Sequence, residues 1–409
     1  MPTDQATPPM TPFPEHARGV LRSLRGAFSE LICDVGVVPQ DPQELARACG
    51  LNKNLAWKVA KLIQTDDPAM AIQQMPGASG VAIFLRKLER AGARSELLKI
   101  ARESIQNFEE FVKLHSGDRA TLEMMGSVLS DSGRQQRDEY HRKLLFQGGS
   151  YVWGAQARVI LKVGIMGLGC ERGLADFLSL SAVIAFRRLR PDVTWTMAAR
   201  RAHSDDGNPM YPPGPEPIDP RSGGDENAPL MLDFCSRPLP QLRRVTATTG
   251  INFELPEGPV GNTGALTCVT GTIHRGLPYY RTPSDSMGVH QVNCDLPAEL
   301  LLFDLFIHNS FTFAMPPNMA LHSDLSVYGP HRVSTSDSKR LPIYETLQDL
   351  GSGPLPLATP DVANYNQMVR AMFDRVGWSP SDFHGYRVRI AYPACPASVT
   401  LSYELPDAP

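Results

Sequence analysis

The feature that most constrains this 409-residue chain is a short stretch, residues 42–63, which predicts two helices joined by a tight turn. Asp41 offers a side-chain acceptor to a helix N-terminus, and Pro42 suits the first helical position because its missing N–H has no partner to lose there. Gly50 ends the first helix, since a residue without a Cβ enters the left-handed region at little cost. Asn52 then caps a second helix. The inner face of that second helix consists of apolar residues at helical spacing: Leu55, Ala56, Val59, Leu62 and Ile63.

The outer face of the second helix is polar and basic. The stretch resembles the helix-turn-helix of bacterial transcriptional regulators in its small residue Ala46, its glycine four positions later and the apolar residues around them. The resemblance covers about 22 residues. In that superfamily the second helix enters the major groove and its first residues contact base edges. The resemblance therefore implies DNA-binding roles for six residues, with phosphate contact the expected role of the last: Asn52, Lys53, Asn54, Trp57, Lys58 and Lys61.

Two other interpretations of this stretch stay open. Short helix–glycine–helix units also occur in helical bundles that do not bind DNA. A structural or assembly protein, phage-like or part of a large complex, would use the helical head for protein contacts. The discriminating feature is whether Lys53, Asn54, Trp57 and Lys58 are exposed together on one edge or whether Trp57 is buried in a contact.

The charge distribution favours the DNA-binding interpretation. Residues 1–201 carry 27 Lys and Arg against 21 Asp and Glu, whereas residues 202–409 carry 13 against 22. Within residues 47–102 the count is 10 basic to 4 acidic. An excess of positive charge near the predicted reading helix is what phosphate binding requires. A solvated helical face would produce the same local excess.

Composition and termini indicate an ordinary globular protein in the cytoplasm. No apolar run reaches the length of a membrane span, and the N-terminus lacks the layout of a signal peptide. The seven cysteines are scattered without a CxxC pair, so neither a zinc site nor a disulfide framework is expected. We expect no metal, no cofactor and no membrane association.

Periodicity predicts an α+β protein with a helical N-terminal domain and a β-rich C-terminal domain. We expect a disordered tail at 1–14, a helical helix-turn-helix domain at 15–130, a connecting α/β segment at 134–202 and a Pro/Gly-rich loop or linker at 203–229. Residues 230–409 alternate in polarity between turn residues, which is typical of a sandwich or barrel. Within the connecting segment, residues 157–168 fit either a helix or a buried strand. Arginines 187, 188 and 190 are expected at a hairpin tip or against phosphate.

The C-terminal half carries no recognisable catalytic pattern. Asp304 and His308 share one face of a predicted strand, an arrangement that suits a metal site or an acid/base pair. Residues 230–409 contain six histidines: His274, His290, His308, His322, His331 and His384. No HExxH, GxSxG or P-loop spacing occurs, and residues 167–173 miss the dinucleotide pattern by one position. Structural histidines are the default expectation, with no catalytic residue assigned. An enzyme with an unrecognised site in this half remains the second alternative.

These observations together predict a sequence-specific DNA-binding protein, a transcriptional regulator acting as a homodimer on double-stranded DNA. The C-terminal domain is expected to bind a small-molecule or protein effector.

Overall fold

The computed structural model describes residues 12–130, 133–201, 215–222, 227–247, 250–283, 285–325, 339–353 and 355–408, apart from the side chains of residues 127, 200 and 201. The chain forms two compact units, Met1–Arg134 and Gln135–Pro409. The first is helical and the second is rich in strands, so the predicted α+β class is confirmed.

Every element in the described part of the first unit is helical. The helices are α1 Phe13–Asp34, α2 Pro42–Cys49, α3 Lys53–Gln64, α4 Pro68–Gln74, α5 Ala78–Arg90, α6 Ser95–His115 and α7 Arg119–Met124, and a 3-10 turn follows at Met125–Val128. The tail predicted at 1–14 lies outside the described residues except at its end, where α1 already begins at Phe13.

Local capping explains where α2 and α3 begin and end. Asp41 Oδ1 accepts from the backbone N–H groups of Gln43 and Glu44, both at 2.9 Å. Gly50 closes α2 in the left-handed region at φ +60°. Asn52 Oδ1 accepts from Asn54 N at 2.8 Å and starts α3. These two helices therefore occupy the residues that the caps predict.

One core unites the helices of the first unit. Leu24, Phe28 and Leu31 of α1 are fully buried, and they join the inner faces of α3, α4, α5 and α6 in a single cluster. The apolar stripe of α6 is used here, since Leu98, Ala101 and the two phenylalanines that follow are buried in the same cluster. The stripe is thus an intramolecular packing surface, as its width predicts.

Helix α8 Arg134–Trp153 lies in the second unit except for its first residue, and the described residues of that unit contain one further α-helix, α9 Tyr365–Val376. Its strands are β1 Ala155–Leu168, β2 Leu174–Arg188, β3 Trp195–Arg201, β4 Glu216–Pro217, β5 Arg243–Ala247, β6 Gly250–Leu255, β7 Leu266–Pro278, β8 Met287–Cys294, β9 Ala298–His308, β10 Asn318–Ser323, β11 Arg340–Leu341, β12 Gln348–Ser352, β13 Phe383–Ala391 and β14 Ala397–Glu404.

The strands form a sandwich that is flanked by a helix. Seven of them make a large sheet in the order β12-β13-β9-β1-β2-β7-β4, four make a second sheet in the order β11-β10-β14-β8, and β3, β6 and β5 make a third. One face of the large sheet packs with the four-stranded sheet around residues such as Phe303, Val399 and Leu401. The other face packs with α9 through Met368, Val369 and their neighbours.

Residues 135–201, which make up nearly all of the predicted connecting segment, belong to the second unit. Residues 157–168 are strand, not helix, and β1 and β2 stand at the centre of the large sheet with β9 parallel to β1. The helical part of the segment, α8, runs to Trp153 and includes Gly148 and Gly149. Burial on both faces explains the unbroken apolar run, which periodicity leaves ambiguous.

Three local features of the second unit bear on its strand pattern. Near the start of the region predicted to be β-rich, residues 232–234 form a 3-10 turn. The next stretch forms two antiparallel strands, β5 and β6. β2 and β3 belong to different sheets, so residues 187–192 are not a hairpin tip. The loop predicted at 203–229 lies largely outside the described residues, but its described part supplies β4, which pairs with β7.

Candidate functional site: the outer face of α3

The outer face of α3 is the candidate nucleic-acid interface. All six residues assigned to it from the sequence are exposed. The exposed fraction of Trp57 is 48%. Because positions 53, 54, 57, 58 and 61 recur at helical spacing, their side chains lie along one side of the helix. The structure therefore brings the predicted residues together on a single surface.

The inner face of α3 holds this surface in place. Ala56, Val59 and Leu62 are fully buried in the helical core. The Arg25 guanidinium of α1 donates to the Ile63 carbonyl at 3.0 Å and also pairs with Asp66 at 2.8 Å. A cation at a helix C-terminus satisfies an unpaired carbonyl and complements the helix dipole. Arg25 thus fixes the C-terminal end of α3 against α1.

The lysines of α3 are free to meet an anion. Within the described part of the chain, Lys53, Lys58 and Lys61 form no ion pair with an acidic side chain. Lys61 Nζ lies 5.9 Å from the centre of the Trp57 ring. Asn52 differs from the others because its side-chain oxygen is already committed to capping α3, which leaves its amide N–H groups for a ligand.

A further cation lies beside the turn. Lys87 Nζ of α5 lies 3.4 Å from the point that a Cβ on Gly50 would occupy. Lys87 belongs to a different helix, and only the packing of α5 against α2 brings its ammonium to the α2–α3 turn. Lys87 is therefore a candidate phosphate contact that spacing alone does not reveal.

The excess of Lys and Arg over Asp and Glu in residues 1–201 does not lie in the helical unit that carries α3. Met1–Arg134 carries 16 Lys and Arg and 16 Asp and Glu, so the helical unit is neutral overall. The excess belongs to residues 135–201 of the second unit, where Arg187 binds Glu299 at 3.0 Å and Arg188 is buried against backbone carbonyls. Only the local concentration of cations on α3 and α5 supports phosphate binding.

The described histidines of the second unit do not gather into a metal centre. Asp304 and His308 both lie on β9, as predicted. Asp304 is fully buried and accepts hydrogen bonds from Arg387. His308 Nδ1 instead accepts from the Ser310 backbone N–H at 3.2 Å. His331 lies outside the described residues. Across the described ranges, no three His, Cys, Asp or Glu side chains are arranged to hold a metal ion.

A serine, a histidine and an aspartate meet at the edge of the large sheet. Ser352 Oγ lies 2.6 Å from His384 Nδ1, and His384 Nε2 lies 2.6 Å from Asp349 Oδ1. Ser352 and His384 are cross-strand neighbours on β12 and β13, and a bulge between Asp349 and Gly351 turns the aspartate toward the ring. This is the connectivity of a nucleophile, a base and an orienting carboxylate, with the two ring nitrogens exchanged relative to the usual serine hydrolase.

The surroundings of this triad keep the aspartate ionised. The Gly351 N–H donates to Asp349 Oδ1 at 2.7 Å, and together with His384 it holds the pKa of Asp349 below its usual value. A Cβ on Gly351 or Gly353 would meet no atom within 4 Å, so the space beside the exposed Ser352 is open. Of these three residues, only His384 is a candidate from the sequence. The other two residues lie 32 and 35 positions away from it, without a spacing motif.

Comparison of the chain with protein-family models, with curated proteins and with solved structures gives no match. None of the helices in the described ranges combines the length and the apolar character that crossing a bilayer demands.

Proposed function

We propose that this chain is a sequence-specific DNA-binding protein, a cytoplasmic transcriptional regulator in which α3 enters the major groove. The observation that carries the proposal is the exposed row Lys53, Asn54, Trp57, Lys58 and Lys61 on a helix that follows a capped α2 and a glycine turn. A helix presented in this way fits the width of the major groove.

Each side chain on this face has a distinct capability. The Asn54 amide can pair in a bidentate manner with adenine, and a lysine ammonium can bind guanine O6 and N7. Lys61, further along the helix, and Lys87, beside the turn, are suited to phosphate, which sets position rather than sequence. Trp57 offers an apolar surface to a thymine methyl or a sugar. The proposal includes a homodimer, because helix-turn-helix proteins bind half-sites about one helical turn apart.

Binding of the full-length protein to a mixed pool of duplex DNA, measured by fluorescence anisotropy at two salt concentrations, tests the proposal. We expect affinity to fall steeply with salt. The double variant Lys53→Ala/Lys58→Ala should weaken binding and make log K depend less steeply on log salt, because it removes two of the positive charges that the α3 face presents to DNA.

The matched control is Lys99→Ala/Lys113→Ala, which removes the same charge from exposed positions on α6. Binding should survive in this control. Failure of the unaltered protein to bind DNA would favour the assembly interpretation, in which Trp57 anchors a protein contact. Equal weakening in both double variants would show that general charge, not the α3 face, attracts the DNA.

The Ser352–His384–Asp349 geometry favours a second candidate function, ester or amide hydrolysis in the second unit. Ser352 Oγ would attack an acyl carbonyl and pass its proton to His384 Nδ1, while Asp349 stabilises the imidazolium at Nε2. The proton would then go to the leaving oxygen or nitrogen, and water would release the acyl group from Ser352.

Labelling with an alkyl fluorophosphonate, located by mass spectrometry, tests this second candidate. The label should appear on Ser352 and should be lost in His384→Ala, because the serine then lacks its base. The exposed Ser381, which hydrogen-bonds only to Ser379 among the described contacts, is the internal control and should stay unlabelled. An unmodified Ser352, or labelling that persists without His384, would exclude the triad.

A further inference from the structure

A lysine without an anionic partner lies between the two sheets of the sandwich. Lys162 Nζ on β1 lies 2.5 Å from Ser179 Oγ and 3.1 Å from Ser181 Oγ on β2. The register explains both contacts, since Ser181 is directly opposite Lys162 and Ser179 is opposite Gly164. The ammonium therefore points along the interior face of the large sheet, with two hydroxyls as its only hydrogen-bond partners among the described residues.

This arrangement leaves a positive charge uncompensated. In the described part of the chain Lys162 takes part in no ion pair, and burial alone lowers its pKa to about 8. A charged group in a protein interior is normally paired, because removal from water is costly without an opposite charge. At neutral pH an amine with a pKa near 8 is still mostly protonated, so the site lacks an anion.

The neighbouring polar groups add donors but no negative charge. Thr272 and His274 on β7 share the interior face, opposite Ser179 and Phe177 respectively. His290 on β8 hydrogen-bonds to the Tyr403 hydroxyl at 3.0 Å. Burial, and then repulsion by Lys162, lowers the pKa of both histidines, that of His290 to about 4. Both imidazoles are therefore neutral above about pH 6.5.

The site is partly exposed and partly apolar, although Ser179 itself is buried. Lys162, Ser181, Thr272, His274 and His290 are half-buried, so each keeps some contact with solvent. Large apolar side chains border the same face: Phe303 is the β9 neighbour of Lys162, and Phe177 and Val183 flank the two serines on β2. An occupant of this region would meet one cation, two hydroxyls and aromatic or aliphatic carbon.

We propose that Lys162, Ser179 and Ser181 bind the carboxylate of a small acid that carries an apolar group. A carboxylate supplies the single negative charge that one ammonium lacks, and its two oxygens can accept from the ammonium and the serine hydroxyls together. The apolar part of the ligand would lie against Phe177, whose side chain is only half-buried. This site is independent of the α3 face and of the Ser352 triad.

Calorimetric titration of the full chain with acetate, hexanoate and benzoate at pH 7 tests the site. Hexanoate and benzoate should bind more tightly than acetate because they bury apolar surface. Lys162→Met, which keeps a side chain of similar length without charge, should weaken binding roughly 10- to 100-fold, the range expected for hydrogen bonds to a charged group. Ser181→Ala is a milder variant that retains the charge and should weaken binding less.

The matched control is Lys143→Met, which removes an exposed lysine from α8 and should leave the affinity unchanged. The far-ultraviolet circular dichroism of each variant verifies that the fold is kept. Absence of saturable heat with all three acids, or equal affinity in the unaltered protein and Lys162→Met, would overturn the proposal.

The pH dependence supplies a second readout. The carboxylate requires the protonated amine, so affinity should be constant from about pH 6.5 to 7.5 and fall about tenfold per pH unit above 8. His274 and His290 are neutral in this range, and burial raises the pKa of the Tyr403 hydroxyl well above it. Cys268, also on this face, has a raised pKa. The same pH series with Lys162→Met measures any binding that does not depend on the amine. An identical pH profile in that variant would also overturn the proposal.

Discussion

At the scale of single residues, Gly50 shows how one backbone conformation shapes the α2–α3 unit. Its φ of +60° lies in the left-handed region, and its N–H caps α2 by donating to the Ala46 carbonyl. A Cβ there would also approach Lys87 Nζ at 3.4 Å, although that flexible end can move. The main cost of any other residue is therefore conformational.

Replacement Gly50→Ala should lower the free energy of unfolding of the helical unit by about 1 to 2 kcal/mol, since an L-residue resists the left-handed region. Urea denaturation followed by circular dichroism measures the change. Gly26→Ala is the matched control, because Gly26 lies exposed inside α1 with no atom near a built Cβ. That variant should gain about 0.5 to 1 kcal/mol. Loss of stability in both variants would contradict the conformational argument.

At the scale of elements, a buried ion pair ties β9 to β13 and α9. Asp304 is completely inaccessible and accepts from Arg387 Nε at 2.8 Å and Nη2 at 2.6 Å. The Tyr365 hydroxyl donates to the same carboxylate, and Arg387 also donates to the Ala358 carbonyl at 3.0 Å. Burial raises the pKa of Asp304, and the hydrogen bonds and charge of Arg387 oppose that shift.

Asp304→Ala should destabilise the second unit by about 3 to 5 kcal/mol, because it leaves the Arg387 guanidinium buried without its counter-charge. The control is Asp361→Ala, which breaks the bidentate pair with Arg389. Arg389 keeps 47% of its side-chain surface exposed, so this loss should be only about 0 to 1 kcal/mol. Denaturant titration of both variants compares the two pairs. Similar losses would mean that burial does not govern their contributions.

At the scale of the whole molecule, each unit has its own hydrophobic core. The buried cluster of the first unit draws only on residues from Ala17 to Leu129, and the two clusters of the second unit begin at Ala155 and Val159. None of these three clusters of described residues combines side chains from both units. A self-contained core is the physical requirement for a domain that folds alone.

Separate fragments 1–133 and 134–409 should therefore each unfold cooperatively, the first with a helical circular dichroism spectrum and the second with a strand-rich one. A fragment that starts at residue 203 should fail to fold, because it lacks β1 and β2 and leaves β9 and β7 without their central neighbours. Denaturation monitored by circular dichroism measures all three. Cooperative unfolding of the shortest fragment would show that residues 134–202 are dispensable.

The sequence by itself determined the elements that depend on neighbouring residues. The caps at Asp41 and Asn52, the glycine at position 50 and the helical spacing of apolar residues predict α2 and α3 at the positions that the structure shows. The outward set on α3 follows from the same periodicity, as do most strands of the second unit. These features are predictable because helix capping and amphipathic periodicity act over only a few residues.

Only the tertiary structure decided which distant residues meet. Lys162 reaches Ser179 and Ser181 through the β1–β2 register, and His384 meets Ser352 and Asp349 through the β12–β13 pairing. Asp304 and Arg387 are separated by 83 positions along the chain. Strand pairing and register depend on how whole faces bury against one another, and a local pattern carries no information about the partner strand. The periodic surface of α3 was therefore predictable, whereas the polar clusters inside and at the edge of the sandwich were not.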